Sequence, residues 1–246
     1  MKNYTEFIEI LAENDTYSTP IDAKGLNLLG ASFSLYVNIG KVVLYSNRWV
    51  RKNMYHEYNW IYSSLDILHI TEKAGIRFNV EGMNHITEVE GPVIFISNHM
   101  STLETLTLPA FVHPVKRIVF ITKKELTSYP LFGPISGARN PILVGRKNPR
   151  EDLKNVFEDG SRKLKDGKSI VVFPQRTRSP EFNPKHFNSL GVKLAKQNNV
   201  PIIPITLLTD CWANGKYIKE IGPIDPTKLA RIKFGSPMSP SEPHAH

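Results

Sequence analysis

The hydrophobic pattern divides the chain into a helical first third and an α/β remainder. Apolar residues recur at helical spacing over roughly 26–46 and again over 54–74, with the basic segment Arg48 to Lys52 expected to turn the chain between two helices. Ile76-Arg-Phe-Asn-Val80 then alternates apolar and polar positions, the period of a half-buried strand. Pro92-Val-Ile-Phe-Ile-Ser97 is a continuous apolar run, as in a strand covered on both faces. Ser101-Thr-Leu-Glu104 has the Ser-x-x-Glu spacing that opens helices, and Val115 to Ile121 predicts another strand. At Asn148-Pro-Arg-Glu151 a second helix start combines an Asn cap with proline at the first helical position. Leu153, Val156, Phe157 and Leu164 follow at helical spacing until Gly167 ends the helix. Further buried strands are predicted at 169–173 and 201–208.

Proline sharpens this division. Only Pro20 falls within the first 91 residues, and the other prolines run from Pro92 to Pro243. The expected organisation is a helical segment over 1–74, an α/β layered domain over 75–236 with a mostly parallel or mixed central sheet, and a loose tail over 237–246. The N-terminal stretch lacks the basic start, apolar run and cleavage site of a signal peptide. Leu26 to Tyr45 contains Asn27, Asn38, Lys41 and two serines, too polar for a comfortable membrane span. With Arg48, Arg51 and Lys52 beside it, the stretch suits either a lipid interface or a core helix, and the pattern does not choose.

Composition narrows the chemistry. Lysine plus arginine total 31 against 23 acids, a net charge of +8, which favours an anionic partner such as nucleic acid or an acidic lipid surface. The basic residues are dispersed, and Tyr55, Tyr58, Trp60 and Tyr62 read as packing on a helix face, so nucleic acid is not expected as a partner. A single cysteine, Cys211, excludes an internal disulfide and a multi-cysteine metal site, and fits a reducing compartment. His244 and His246 in the tail could hold a metal only adventitiously; neither a metal nor a bound cofactor is expected. Glycine-rich nucleotide loops and a Gly-x-Ser-x-Gly nucleophile elbow are absent.

Three segments at strand exits remain as candidate chemistry. In Asn98-His99-Met-Ser101-Thr-Leu-Glu104, a histidine two residues before a Ser101 cap could meet Glu104 at the third helical position, where side chains fold back. The carboxylate would then hold one imidazole nitrogen and leave the other as a general base. On spacing alone, a plain capping box beside a loop histidine is the more ordinary reading. Phe173-Pro-Gln175-Arg176-Thr177-Arg178-Ser179 gathers two guanidiniums and two hydroxyls, a cradle for phosphate or a solvated basic turn. Lys123-Lys124-Glu-Leu126, Pro130-Leu-Phe-Gly133 and Gly145-Arg146 could add cations to the same pocket, and Val200-Pro-Ile-Ile-Pro204 reads as a proline-started buried strand.

In this order, the four blocks make the chain resemble the glycerolipid acyltransferase family, particularly 1-acylglycerol-3-phosphate (lysophosphatidic acid) acyltransferases. The Asn-His-x-Ser-x-x-acid block falls on His99 and Glu104, and the Lys-x-Leu…Pro-x-x-Gly…Arg block on Lys124 to Arg146. The Phe-Pro-Glu-Gly-Thr-Arg-Ser block falls on Phe173 to Ser179, and the Val-Pro-Ile-x-Pro block on Val200 to Pro204. The resemblance implies a glycerophosphate-acyltransferase-like domain behind membrane-associating helices, at the cytoplasmic face of a membrane. It implies transfer of a fatty acyl group from acyl-CoA or acyl carrier protein to a lysophospholipid hydroxyl, in phospholipid biosynthesis. His99 is then the base and Glu104 its orienting acid, with Lys124, Arg146, Gln175, Arg176, Thr177, Arg178 and Ser179 around the acceptor phosphate. An acceptor other than lysophosphatidic acid, such as glycerol 3-phosphate or another lysolipid, and a non-catalytic lysophospholipid-binding protein are the alternatives. The chain departs from the family twice: Glu104 replaces the usual aspartate, and Gln175-Arg176 replaces Glu-Gly, which makes that loop two charges more cationic.

Overall fold

The computed structural model describes residues 5, 8–9, 13–20, 28–145, 148–175 and 177–241. Within them the strands are β1 (Tyr17–Ser18), β2 (Arg77–Glu81), β3 (Ile94–Ser97), β4 (Ile118–Lys123), β5 (Ile142–Val144), β6 (Ser169–Val172), β7 (Ile202–Leu208) and β8 (Leu229–Phe234). The helices are α1 (Leu28–Arg51), α2 (Glu57–Lys73), α3 (Asn84–Thr87), α4 (Leu103–Val112), α5 (Phe132–Ala138), α6 (Pro149–Lys165) and α7 (Leu190–Asn198). One mixed sheet takes the order β1-β2-β8-β7-β3-β6-β4-β5. From β7 to β5 every neighbouring pair is parallel, while β8 runs antiparallel to β7 and β1 antiparallel to β2.

Strand alternation builds the two faces. Phe95, Val171, Ile203 and Ile205 point to the layer made by α1, α2 and α4, where Leu35, Leu65, Leu68, Leu103 and Phe111 complete a buried core. Ile94, Ile170, Val172 and Ile202 point the other way, against Val156 and Leu164 of α6 and Val192 and Leu194 of α7. The central strands are therefore apolar on both sides, as their continuous runs predict. Because β7, β3, β6 and β4 are parallel, their C-terminal ends share one edge of the sheet. Residues 98, 124, 173 and 209 all leave the strands there.

Three expectations need correction. The basic segment does not turn the chain, because α1 continues through Arg48 and Arg51. It stops at Asn53, a left-handed residue (φ 53°), where Met54 N–H donates to Trp49 O at 2.8 Å and Asn53 N–H to Val50 O at 3.0 Å. Arginine is a good helix former, so charge alone supplies no stop. The strand expected from Val115 starts at Ile118, since the Val115 and Lys116 N–H groups still donate to Val112 O at the end of α4. The tail is not loose throughout: Met238 exchanges two backbone hydrogen bonds with Ile202, at 2.8 and 2.9 Å. His244 and His246 lie outside the described residues.

Candidate active site

At the end of β3 a side chain takes over from the backbone ladder. Asn98 Nδ2 donates to Leu207 O at 2.9 Å, and Leu207 N–H donates to Asn98 Oδ1 at 2.8 Å. The amide thus pins the strand exit to β7, and the chain turns off the sheet at His99. Ser101 Oγ accepts the Leu103 N–H at 3.1 Å while Glu104 Oε1 reaches back to accept the Ser101 N–H at 2.8 Å, a reciprocal helix cap. Glu104 Oε1 also accepts from His99 Nδ1 at 2.9 Å and from Met100 N–H at 2.6 Å. Oε2 accepts from Ser101 Oγ at 2.7 Å and from Thr209 Oγ1, beyond the end of β7, at 2.8 Å. The capping role and the imidazole-holding role are one geometry.

Glu104 is completely buried. Burial alone pushes its carboxyl pKa up, but the His99 bond and charge, with the two Ser101 bonds, outweigh this and hold it below the usual carboxylate range. An ionised Glu104 accepts only, so Nδ1 of His99 carries the proton it donates and Nε2 of the neutral ring keeps a lone pair. The histidine side chain is 17% exposed, so a ligand can reach the ring. Phe173 stacks on it with centroids 4.2 Å apart and planes 18° apart, and Phe120 stacks behind Phe173. The base candidate is thereby fixed at one nitrogen by a carboxylate and across one face by a phenyl ring.

The loop after β6 is tied to the same turn. His99 N–H donates to Gln175 Oε1 at 2.5 Å, and Ser179 N–H donates to His99 O at 2.9 Å. Gln175, expected among the acceptor-phosphate ligands, is instead buried with its carbonyl oxygen committed to the His99 backbone. The bond needs one acceptor oxygen, which the Gln175 amide supplies as the glutamate of the resembled family would, so it does not explain the replacement. Arg178 donates through Nη1 to Thr102 Oγ1 and through Nη2 to Glu220 Oε1, the latter at 2.6 Å. Thr177 is exposed and accepts from Lys219 Nζ at 3.2 Å, while Ser179 Oγ is occupied by the Glu181 backbone.

The remaining expected residues scatter. Lys124 is exposed in a 3₁₀ turn (Lys124–Ser128) after β4, on the same sheet edge but without a described bond to the His99 cluster. Arg146 and Arg176 lie outside the described residues. Gly133 of the Pro-x-x-Gly block serves packing: a Cβ there would sit 2.3 Å from Thr127 O. Sequence reasoning missed Thr209, the stacking role of Phe173, and Glu220. Thr209 and Phe173 follow buried strands at the C-terminal edge of the sheet, where open α/β sheets tend to bind ligands, and that position is a signal in the sequence; Glu220 belongs to a loop with no motif at all.

The fold and site together define a layered α/β protein with a carboxylate-held histidine at the C-terminal edge of its sheet. A family profile described as Acyltransferase matches residues 77–208, more than half of the chain. The chain belongs to the acyltransferase family. It is 35% identical over 132 residues to a 1-acyl-sn-glycerol-3-phosphate acyltransferase of Pseudomonas aeruginosa, a match covering 54% of this chain and 49% of that one. It is 30% identical over 143 residues to the human 1-acyl-sn-glycerol-3-phosphate acyltransferase alpha, covering 58% of this chain and 50% of that one. The chain spans about half the length of the curated relatives it matches. In fold it is similar to the crystal structure of the LPA acyltransferase PlsC from Thermotoga maritima, with a TM-score of 0.63, 20% identity and 88% coverage of both chains.

Proposed function

We propose that the chain transfers a fatty acyl group from a thioester donor, acyl-CoA or acyl carrier protein, to the free hydroxyl of lysophosphatidic acid, giving phosphatidic acid. The observation that carries this reading is the His99–Glu104 pair, whose tautomer is fixed so that Nε2 can take a proton. Nε2 removes the acceptor hydroxyl proton as that oxygen attacks the thioester carbonyl. The tetrahedral oxyanion collapses, the carbon–sulfur bond breaks, and the imidazolium returns its proton to the leaving thiolate. Glu104 stays ionised and stabilises the transient imidazolium. Arg178, beside the histidine turn, is the described cation placed to meet the acceptor phosphate, and Arg176, Arg146 and Lys124 are assigned the same role from the motif.

The second substrate-level proposal concerns where the reaction occurs. Among the described residues, no helix is long and apolar enough to cross a membrane. One face of α1 carries exposed Phe33, Val37 and Leu44 in register with Lys41, Arg48 and Arg51, apolar and basic positions on one stripe. Leu44, Arg48, Arg51, Lys52 and Leu131 also line a cavity of about 350 Å³. This face would lie on an anionic bilayer, where the lysolipid acceptor partitions. Flotation with anionic liposomes tests it: Leu44→Asp with Arg48→Gln should reduce recovery with the vesicles. Unchanged recovery would remove α1 from the docking role.

A further inference from the structure

Between β7 and β8 the chain makes a long excursion, residues 209–228, whose tip the chemistry above does not use. Its two limbs are clamped at the base. Trp212 pairs with Ile224, Ala213 N–H donates to Pro223 O at 3.0 Å, and Asp225 N–H donates to Cys211 O at 2.7 Å. Cys211, Trp212 and Ile224 are buried there. Beyond the clamp the backbone closes on itself: a Cβ on Gly215 would lie 2.1 Å from both Ile218 O and Ile221 O. Backbone therefore fills the inside of the loop, and the larger side chains turn outward. Tyr217 is 91% exposed, Ile218 55% and Ile221 53%, one aromatic and two aliphatic side chains on one protruding tip.

Hydrogen bonds tie this loop to the His99 turn on one side and to α1 on the other. Asn214 Nδ2 donates to Met100 O at 3.1 Å, and Lys219 Nζ donates to Thr177 Oγ1 at 3.2 Å. Glu220 Oε1 accepts from Arg178 Nη2 at 2.6 Å. The tip thus stands beside both segments that carry the candidate chemistry. Tyr36 of α1 donates its hydroxyl to Gly222 O and packs edge-on against Trp212, with centroids 5.7 Å apart. In α1 Tyr36 lies one turn after the exposed Phe33 and next to the exposed Val37, so the base of the loop adjoins that apolar stripe. The tip is also basic: Lys216 Nζ lies 5.6 Å from the Tyr217 ring centroid. Neither Lys216 nor Lys219 pairs with a carboxylate among the described residues.

We propose that residues 216–221 form a membrane-contact point separate from α1, seating Tyr217, Ile218 and Ile221 in the interface of an anionic bilayer beside the mouth of the His99 site. The inference rests on the reading above that the acceptor is a lysolipid at a membrane. Three protruding side chains fall far short of the roughly 20–30 residues a side that a stable protein interface uses. A bilayer interface, by contrast, accepts isolated aromatic and aliphatic side chains, with neighbouring lysines holding their charged ends among anionic headgroups. Seated in this way, the tip places Lys216 and Lys219 at headgroup level. Glu220, the residue after Lys219, is bonded to Arg178, so the cation assigned to the acceptor phosphate lies beside the point of lipid contact.

Cys211 is the only native cysteine and is buried, so the thiol of an Ile218→Cys chain can be labelled selectively with the polarity-sensitive dye NBD. Vesicles of phosphatidylglycerol and phosphatidylcholine should shift the dye emission to the blue and brighten it, saturably with lipid. A dye that stays in water on chains that float with the vesicles would overturn this proposal and leave α1 as the docking face. A dye that enters lipid while Leu44→Asp with Arg48→Gln floats like the wild type would do the reverse. Kinetics supply the second readout, with Tyr217, Ile218 and Ile221 all changed to serine. That variant should raise the KM for lysophosphatidic acid presented in the same vesicles at least ~10-fold more than the KM for a short-chain, monodisperse lysophosphatidic acid. Equal changes for the two presentations would also overturn the proposal. Absence of acyl transfer with either acceptor would refute the proposed reaction, while the dye still reports whether the tip meets lipid.

Discussion

Glu104 carries more contacts than any other group at the candidate site, and each contact has a separate physical consequence. His99 Nδ1 fixes the tautomer, the Met100 and Ser101 N–H groups shape the turn, and Thr209 ties the carboxylate to β7. Thr209→Val keeps the volume but leaves one carboxylate lone pair without its buried donor. It should cost about 1–3 kcal/mol of stability in urea denaturation, with a fall in kcat and little change in acceptor KM. At Arg178 two acceptors compete: the guanidinium that would meet the acceptor phosphate is held by Glu220. Glu220→Gln should therefore lower the KM for lysophosphatidic acid several-fold, and a rise would show that Glu220 orders Arg178 instead of occupying it. Both predictions rest on residues outside the sequence motifs. The motif residues His99 and Glu104 were legible because they sit at fixed offsets from a cap; Thr209 and Glu220 come from distant segments that only the fold brings near.

Among the elements, α4 shows how one helix serves both edges of the sheet. Its first turn holds the His99 cluster, and the residue after its last turn, His113, accepts the Ile118 N–H that starts β4. Burial pushes the His113 pKa from the ordinary 6.5 to about 4, opposed by Glu57 and reinforced by Arg117, Arg139 and Lys168. The unfolded chain therefore takes up this proton first as pH falls, so native stability is intact above pH 6.5 and declines towards pH 4. The loss is about 3 kcal/mol. Urea midpoints across that window should show it, and His113→Asn, which retains an acceptor for Ile118, should flatten it. A second element-scale lesson concerns α1. Ala31, Leu35 and Val42 are buried in the main core while Phe33 and Leu44 are exposed. The sequence left the core and interface readings open because the helix has both faces. Strands β5 and β8 and helices α5 and α7 escaped the sequence reading for different reasons. β5 has only three residues, whereas β8 does carry an alternation of Ala230, Ile232 and Phe234.

For the molecule as a whole, parallel pairing of β7, β3, β6 and β4 decides the layout. It sends the family's first and third motif blocks to one edge, where His99 is bonded to both Gln175 and Ser179. The layered α/β class was readable from alternating runs, but the strand order was not, since nothing local dictates that β8 inserts between β2 and β7. The bonding of the loop after β6 was also hidden, because the spacing of Gln175 and Arg178 in a motif does not say that Gln175 turns to the His99 backbone and Arg178 to Thr102 and Glu220. The central claim is that His99 Nε2 is the general base for acyl transfer. The most direct measurement is thiol release from palmitoyl-CoA with lysophosphatidic acid in mixed micelles, comparing the wild type with His99→Ala. The account predicts acceptor-dependent release that falls roughly 10²–10⁴-fold in the variant while the fold is retained. A His99→Ala protein that turns over at the wild-type rate would contradict it.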